Sequence, residues 1–156
     1  MNIPFLKQLQ RLTGPAAQVV ELAATGPGRA PIEGAMRHLL AELPDLLMAA
    51  VVEVATGKPL ATYTAERSLR PAAVAGFHAE AVRQVQAAQR AAGAAGQQLE
   101  EMLLTLPSQL HLLHLGPDGQ VFVYLAVESR DTNLGIARAV MRGAIALVGP
   151  AAAAQH

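Results

Sequence analysis

Apolar residues recur along this chain with two different periods, and the alternation between them lays out the fold. From Pro31 to Leu43, Ile32, Ala35, Met36, Leu39, Leu40 and Leu43 lie on one side of a 3.6-residue repeat, while Glu33, Arg37 and Glu42 lie largely on the other. This predicts an amphipathic helix with Pro31 in its first turn, ended by Pro44. The valine-rich run Leu46–Ala55 and the alternating run Leu60–Thr64 flank Thr56-Gly-Lys-Pro59 and predict a hairpin. The first strand is apolar on both faces except at Glu53, so it should be central; the second should lie nearer an edge.

A long helix is predicted from about Ala72 to Ala95. Val74, Phe77, Ala81, Val85, Ala88 and Ala92 form one strip, with Ala87, Ala91 and Ala94 beside it together with Glu80 and Gln84. Arg83, Gln86 and Arg90 form its polar stripe. The small or apolar arc spans roughly 200°, about twice what one packing surface requires, so something besides the sheet should cover it. Gly93 and Gly96 end this helix. Three strand-like runs follow, Leu99–Leu106, Gln109–Leu115 and Gln120–Val127, joined by Pro107-Ser108 and the Gly116-Pro-Asp-Gly119 turn. A last helix runs from about Asn133 to Val148, with Asp131 or Thr132 as N-cap and with Leu134, Ala137, Met141, Ala144, Ile145 and Val148 on one face. Arg138 and Arg142 fall on its exposed face. The expected fold is α+β: a five-stranded, mostly antiparallel sheet with helices on both faces.

The first thirty residues stand apart. Phe5, Leu6, Leu9 and Leu12, then Ala16, Val19, Val20 and Ala23, make two short helical patterns before the Thr25-Gly-Pro-Gly-Arg-Ala-Pro31 break. The chain therefore divides into an N-terminal helical extension and linker (1–30), a domain (31–148), and a tail (149–156) expected to be disordered after Gly149-Pro150.

Composition narrows the function classes. The chain has 156 residues, twelve basic and twelve acidic side chains, 3% aromatic residues and no cysteine. Balanced charge gives no footprint for nucleic acid or anionic membranes, and without cysteine there is neither a disulfide nor a thiolate zinc site. No secretory signal pattern or membrane-length apolar run is visible, which points to a cytoplasmic protein.

Candidate chemistry is sparse. Gly57-Lys58-Pro59 lacks the rest of a phosphate-binding loop, and Gly26-x-Gly28 follows no predicted strand. A spacing of three on a strand puts His111 and His114 on opposite faces, away from a common metal. His38 and His78 read as boundary residues. Ser68, Ser108 and Ser129 lie at turns, outside any nucleophile elbow. The adjacent carboxylates of Glu100 and Glu101 point apart. Neither a cofactor nor a catalytic constellation is expected. An enzyme or ligand-binding alternative would need a closed cavity lined by Glu53, Tyr63 or Tyr124.

Several segments carry a resemblance: Leu99-Glu-Glu-Met-Leu-Leu, Leu112-Leu-His-Leu, Val121-Phe-Val-Tyr-Leu-Ala-Val127, Thr132-Asn-Leu-Gly-Ile-Ala-Arg138 and the hairpin Val51-Val-Glu-Val-Ala-Thr-Gly57. From about Ile32 to Val148 the chain resembles the roadblock family, named for dynein light-chain roadblock proteins, and its bacterial gliding-motility polarity protein B-like branch. The resemblance implies a homodimer in which the long helices pack side by side and the third strands pair edge to edge. Ala87, Ala91, Ala94, Leu99, Met102 and Leu104 would form the interface. It also implies a noncatalytic regulator or scaffold of a small Ras-like GTPase, for which the polar stripe Arg83, Gln86 and Arg90 is the candidate partner surface. An alternative is a signalling scaffold or sensor without a GTPase role, docking through the N-terminal helices. The extension before Pro31 departs from the family's minimal domain.

Overall fold

The computed structural model describes residues 19–94 and 96–150. Strands β1 (Val19–Leu22), β2 (Leu46–Glu53), β3 (Pro59–Thr64), β4 (Glu101–Thr105), β5 (Gln109–Leu115) and β6 (Val121–Glu128) form one sheet in the order β1-β3-β2-β6-β5-β4. Every pairing in it is antiparallel. Helices α1 (Arg29–Glu42) and α3 (Leu134–Val148) cover one face and α2 (Pro71–Ala91) covers the other. The sheet thus has six strands where the sequence pattern predicts five.

The additional strand is a correction to the second N-terminal helical pattern. Val19, Val20, Glu21 and Leu22 pair with Thr64, Tyr63, Thr62 and Ala61. The short run satisfies β3's outer backbone groups, a stronger demand than the weak local helical pattern. Ala23 and Ala24 then both donate backbone N–H groups to the Leu60 carbonyl at 2.9 Å. The first pattern, around Phe5 to Leu12, and residues 151–156 lie outside the described residues.

Central strands build two cores at once. In β6, Val121, Val123, Leu125 and Val127 enter the core under α1 and α3, whereas Phe122, Tyr124 and Ala126 enter the core under α2. Ala49 and Val51 of β2 face the former core; Met48, Ala50 and Val52 face the latter. β2 lies between β3 and β6, the central place its unbroken apolar run predicts. Ile32, Ala35, Met36 and Leu39 of α1 are buried, as are Ala137, Met141, Ala144, Ile145 and Val148 of α3. His38 marks a close approach of α1 and α3: a Cβ at Gly143 would come within 2.6 Å of its Nε2.

Helix α2 departs from the expected orientation. Its buried residues are Pro71, Ala75, Ala79 and Val82, and Phe77 is 79% exposed. Small residues are selected on the inner side because the helix lies low on the hairpin: a Cβ at Gly57 would meet the Gly76 Cα at 3.0 Å. Gly57 also has φ +71, a conformation that disfavours L side chains. At the start of α3, the N-cap is Asn133 rather than Asp131 or Thr132; its Oδ1 accepts from the N–H groups of Gly135 (2.8 Å) and Ile136 (3.2 Å). Three consecutive capping residue types made that boundary ambiguous by one or two positions.

Gly57→Ala is expected to destabilise the fold by about 1–2 kcal/mol, the cost of the left-handed conformation, with further loss from contact with Gly76. Gly34→Ala, with nothing within 4 Å of the added Cβ, should instead be neutral or stabilising by about 0.5–1 kcal/mol. Denaturant midpoints compare the two; an unaltered Gly57→Ala midpoint would contradict the close seating of α2.

Candidate functional site

Two surfaces of α2 differ sharply in chemistry. Its outward side carries Ala73, Phe77, Ala87, Ala88 and Ala91, all exposed, interrupted by Glu80 and Gln84. The Glu80 carboxylate accepts from the Gln84 amide and from Arg83, which, with the Arg83 charge, hold its pKa below the usual range. At the far edge of the sheet is β4, the terminal strand, with Leu103 and Leu104 of the strand and Leu106 beyond it exposed. Of the predicted interface residues, Ala87 and Ala91 are exposed, Ala94 is half-buried and Leu104 is 39% exposed. Leu99 and Met102 pack partly against the core under α2. The domain therefore presents two uncovered apolar elements, a helix face and a terminal strand that has no neighbouring strand among the described residues.

The polar stripe of the helix opens elsewhere. Arg83, Gln86 and Arg90 line a cleft of about 510 Å³ between the C-terminal half of α2, the turn after β2 and the Gly116–Gln120 turn. Arg83 fixes one wall, because its Nη1 donates to the carbonyls of Val54 (2.6 Å) and Ala55 (3.2 Å) while the same guanidinium pairs with Glu80. Gln86 stands near the turn: a Cβ at Gly119 would lie 3.6 Å from its Nε2. Asp118 steadies the turn by accepting the Gln120 N–H at 3.0 Å. Arg90 has no carboxylate within ion-pair distance among the described residues. The predicted partner residues are thus gathered in one concavity, which no local sequence pattern could indicate.

A histidine–tyrosine cluster lies beneath α2. The Tyr124 hydroxyl and His111 Nδ1 are 2.9 Å apart, and His111 Nε2 is 3.0 Å from Gln109 Oε1. The consistent assignment has Tyr124 donating to His111 and His111 donating to Gln109, which keeps this imidazole neutral. The His78 ring packs on Tyr124 at 4.4 Å between centroids, and its buried Nδ1 makes no hydrogen bond among the described residues. Burial, with a smaller contribution from His111, pushes the His78 pKa down to about 4. Burial also lowers His111 and raises Tyr124. His78 is consequently a packed histidine of the α2 contact and more than a boundary residue.

On the opposite face, Glu101 joins β4 to α3. Its Oε1 accepts from Arg138 Nε at 2.8 Å and lies 2.7 Å from Nη2, a pairing that raises the arginine pKa. His114 Nδ1 is 4.0 Å from Glu101 Oε2, too far for a hydrogen bond. Burial lowers the His114 pKa most strongly, with Glu101 opposing, Arg142 reinforcing and Glu100 opposing that shift. His111 and His114 therefore do occupy opposite faces. Among the described residues, no group of three or more His, Cys, Asp or Glu is placed to hold a metal, and no helix is long and apolar enough to cross a membrane. Tyr63 and Tyr124 enter different cores and cannot line one cavity.

With helices on both faces of an antiparallel sheet, the fold is that of roadblock proteins, the one implied by the sequence resemblance. Among solved structures, Myxococcus xanthus MglB matches with a TM-score of 0.68 and 12% identity over 81% of this chain and 91% of that one. The gliding protein MglB from Thermus thermophilus gives 0.65 and 19%, covering 87% and 98% respectively. A Roadblock/LC7 domain from Streptomyces avermitilis gives 0.54 and 17%, covering 76% and 94%. No protein-family model and no curated protein matches the sequence. At these identities the likeness is one of fold.

The histidine cluster has a pH consequence. Above pH 6.5, His78 is predominantly neutral in both folded and unfolded chains. Between 6.5 and about 4 the unfolded chain binds a proton that the folded chain resists, so stability falls with decreasing pH. Discounted for solvent reaching the half-buried ring, the loss attributable to His78 is expected to be about 1–2 kcal/mol. Urea unfolding at pH 7.5 and 4.5 should show a smaller pH difference for His78→Gln than for the parent; equal differences would refute the assignment.

Proposed function

We propose that this protein is a noncatalytic, homodimeric regulator or scaffold for a small Ras-like GTPase. The observation that carries the reading is the pair of uncovered apolar elements, the outward face of α2 and the terminal strand β4. Pairing two copies about a twofold axis would place like elements together, giving each β4 a neighbour and each Phe77 a covered environment. Burying a phenylalanine side chain contributes about 1.5–3 kcal/mol, so two such residues are substantial in a modest interface.

The GTPase part rests on the roadblock resemblance and on the second, polar surface of α2. A dimer using the outward face leaves Arg83, Gln86 and Arg90 on a different side of the helix. In this reading, regulation comes from surfaces that position a GTPase's own reacting groups. A cytoplasmic setting accords with such a partner. Arg83 is already engaged by the turn carbonyls and Glu80, which makes Arg90 the cleaner probe of partner contact.

Phe77→Glu and Ala91→Glu are expected to yield monomers or insoluble protein, because an interface must then bury unpaired carboxylates at a cost of several kcal/mol. Light scattering reporting an unchanged dimer for both would remove the helix contact from the interface. Arg90→Ala should retain dimer mass while weakening binding of a GTP-loaded Ras-like GTPase by about threefold to fivefold. Absence of both binding and altered hydrolysis across a panel of such GTPases would exclude the regulatory reading.

A further inference from the structure

The cleft at the C-terminal end of α2 has a composition suited to one kind of ligand. Gln86, Gln89, Gln97, Gln98 and Gln120 all line it, and none makes a side-chain hydrogen bond among the described residues. Each carboxamide offers both a donor and an acceptor, the same pair that a peptide unit presents. Arg90 adds a guanidinium with no ion-pair partner among the described residues, whereas Arg83 is committed to the turn and Glu80. Val54 and Leu99 supply apolar surface. The concavity is open and mixes polar with apolar lining, unlike the mostly apolar pockets that enclose small molecules.

We propose that this cleft receives an extended peptide segment of a partner protein, its main chain meeting the glutamine amides and one acidic side chain meeting Arg90. The Asp118 carboxylate on the turn wall disfavours a second acidic group there and so directs the single negative charge toward Arg90. The amides recognise main chain and therefore tolerate sequence variation; Arg90 supplies discrimination by charge. This inference rests on the reading of the chain as a protein-binding regulator, but not on its partner being a GTPase. It assigns the polar side of α2 a ligand class, separately from the apolar side assigned to self-association.

The test uses full-length, ¹⁵N-labelled protein titrated with acetyl-Gly-Ser-Glu-Ser-Gly-amide. Saturable shifts of the side-chain amide resonances of Gln86, Gln89, Gln97, Gln98 and Gln120 are expected. Replacing the peptide glutamate by glutamine, or Arg90→Gln in the protein, should each weaken binding about threefold to fivefold. Combining the two changes should cause little further loss, as for two halves of one interaction. Lack of saturation at millimolar peptide, the same shifts from sodium acetate alone, or indifference to Arg90→Gln would overturn the proposal. GTPase binding without peptide binding would overturn the cleft assignment alone; peptide binding without any GTPase effect would overturn only the GTPase reading.

Discussion

Helix α2 is held to the sheet through its smallest side chains, and the use of the remaining molecular surface follows from that constraint. Ala75 and Ala79 face the sheet, Gly76 meets Gly57 across the hairpin, and Val82 is the largest aliphatic side chain buried on that side. The positions closest to the sheet are thus held by small and β-branched side chains. Phe77 is directed outward, and the long helix presents apolar area to solvent even though its sheet contact is complete. Self-association is therefore a consequence of how α2 docks, in the proposed reading, rather than of any unusual composition.

The two sheet edges are treated differently. On the β3 side, β1 contributes four residues that include Glu21, making a short edge with a charge on it. On the other side, β4 carries exposed Leu103 and Leu104. Glu101 at the beginning of β4 is fixed to Arg138 of α3 across a packed face, so this edge is positioned by the domain instead of trailing from it. A charged, short edge discourages strand addition, while an anchored leucine edge favours it. The distinction agrees with confining the proposed dimer contact to α2 and β4.

How much of this was legible depended on whether the relevant constraint was local. Helices α1 and α3 and the strands of the hairpin and meander were readable because large apolar residues marked the correct faces, as Ile32, Met36 and Leu39 did. Alanine makes α2 readable as a helix but not as an oriented one: the apolar arc expected from the sequence includes Ala87 and Ala91, which are exposed, and omits Ala75 and Ala79, which pack inward. Helical spacing groups Phe77 with a packing strip, whereas the side that meets the sheet is that of Ala75, Ala79 and Val82. Strand β1 escaped because Val19, Val20 and Ala23 also satisfy a short helical spacing, and only β3's unpaired edge decides between the alternatives. The stripe Arg83, Gln86 and Arg90 was visible in the sequence; its cleft was not, because the opposing wall comes from residues more than 25 positions away in either direction.

Arg83 connects the two sides of α2 chemically. Its guanidinium reaches the Val54 and Ala55 carbonyls at the cleft and the carboxylate of Glu80 on the outward side. Lower solvent exposure around Glu80 would strengthen its attraction to Arg83 by reducing dielectric screening, provided that the pair retained its hydrogen bonds. Covering the apolar face and holding the cleft wall would then favour the same arginine conformation. The two surfaces are distinct in the partners they suit, but they share one structural support, and the helix can serve both because Ala75, Ala79 and Val82 face the sheet and leave its other sides free.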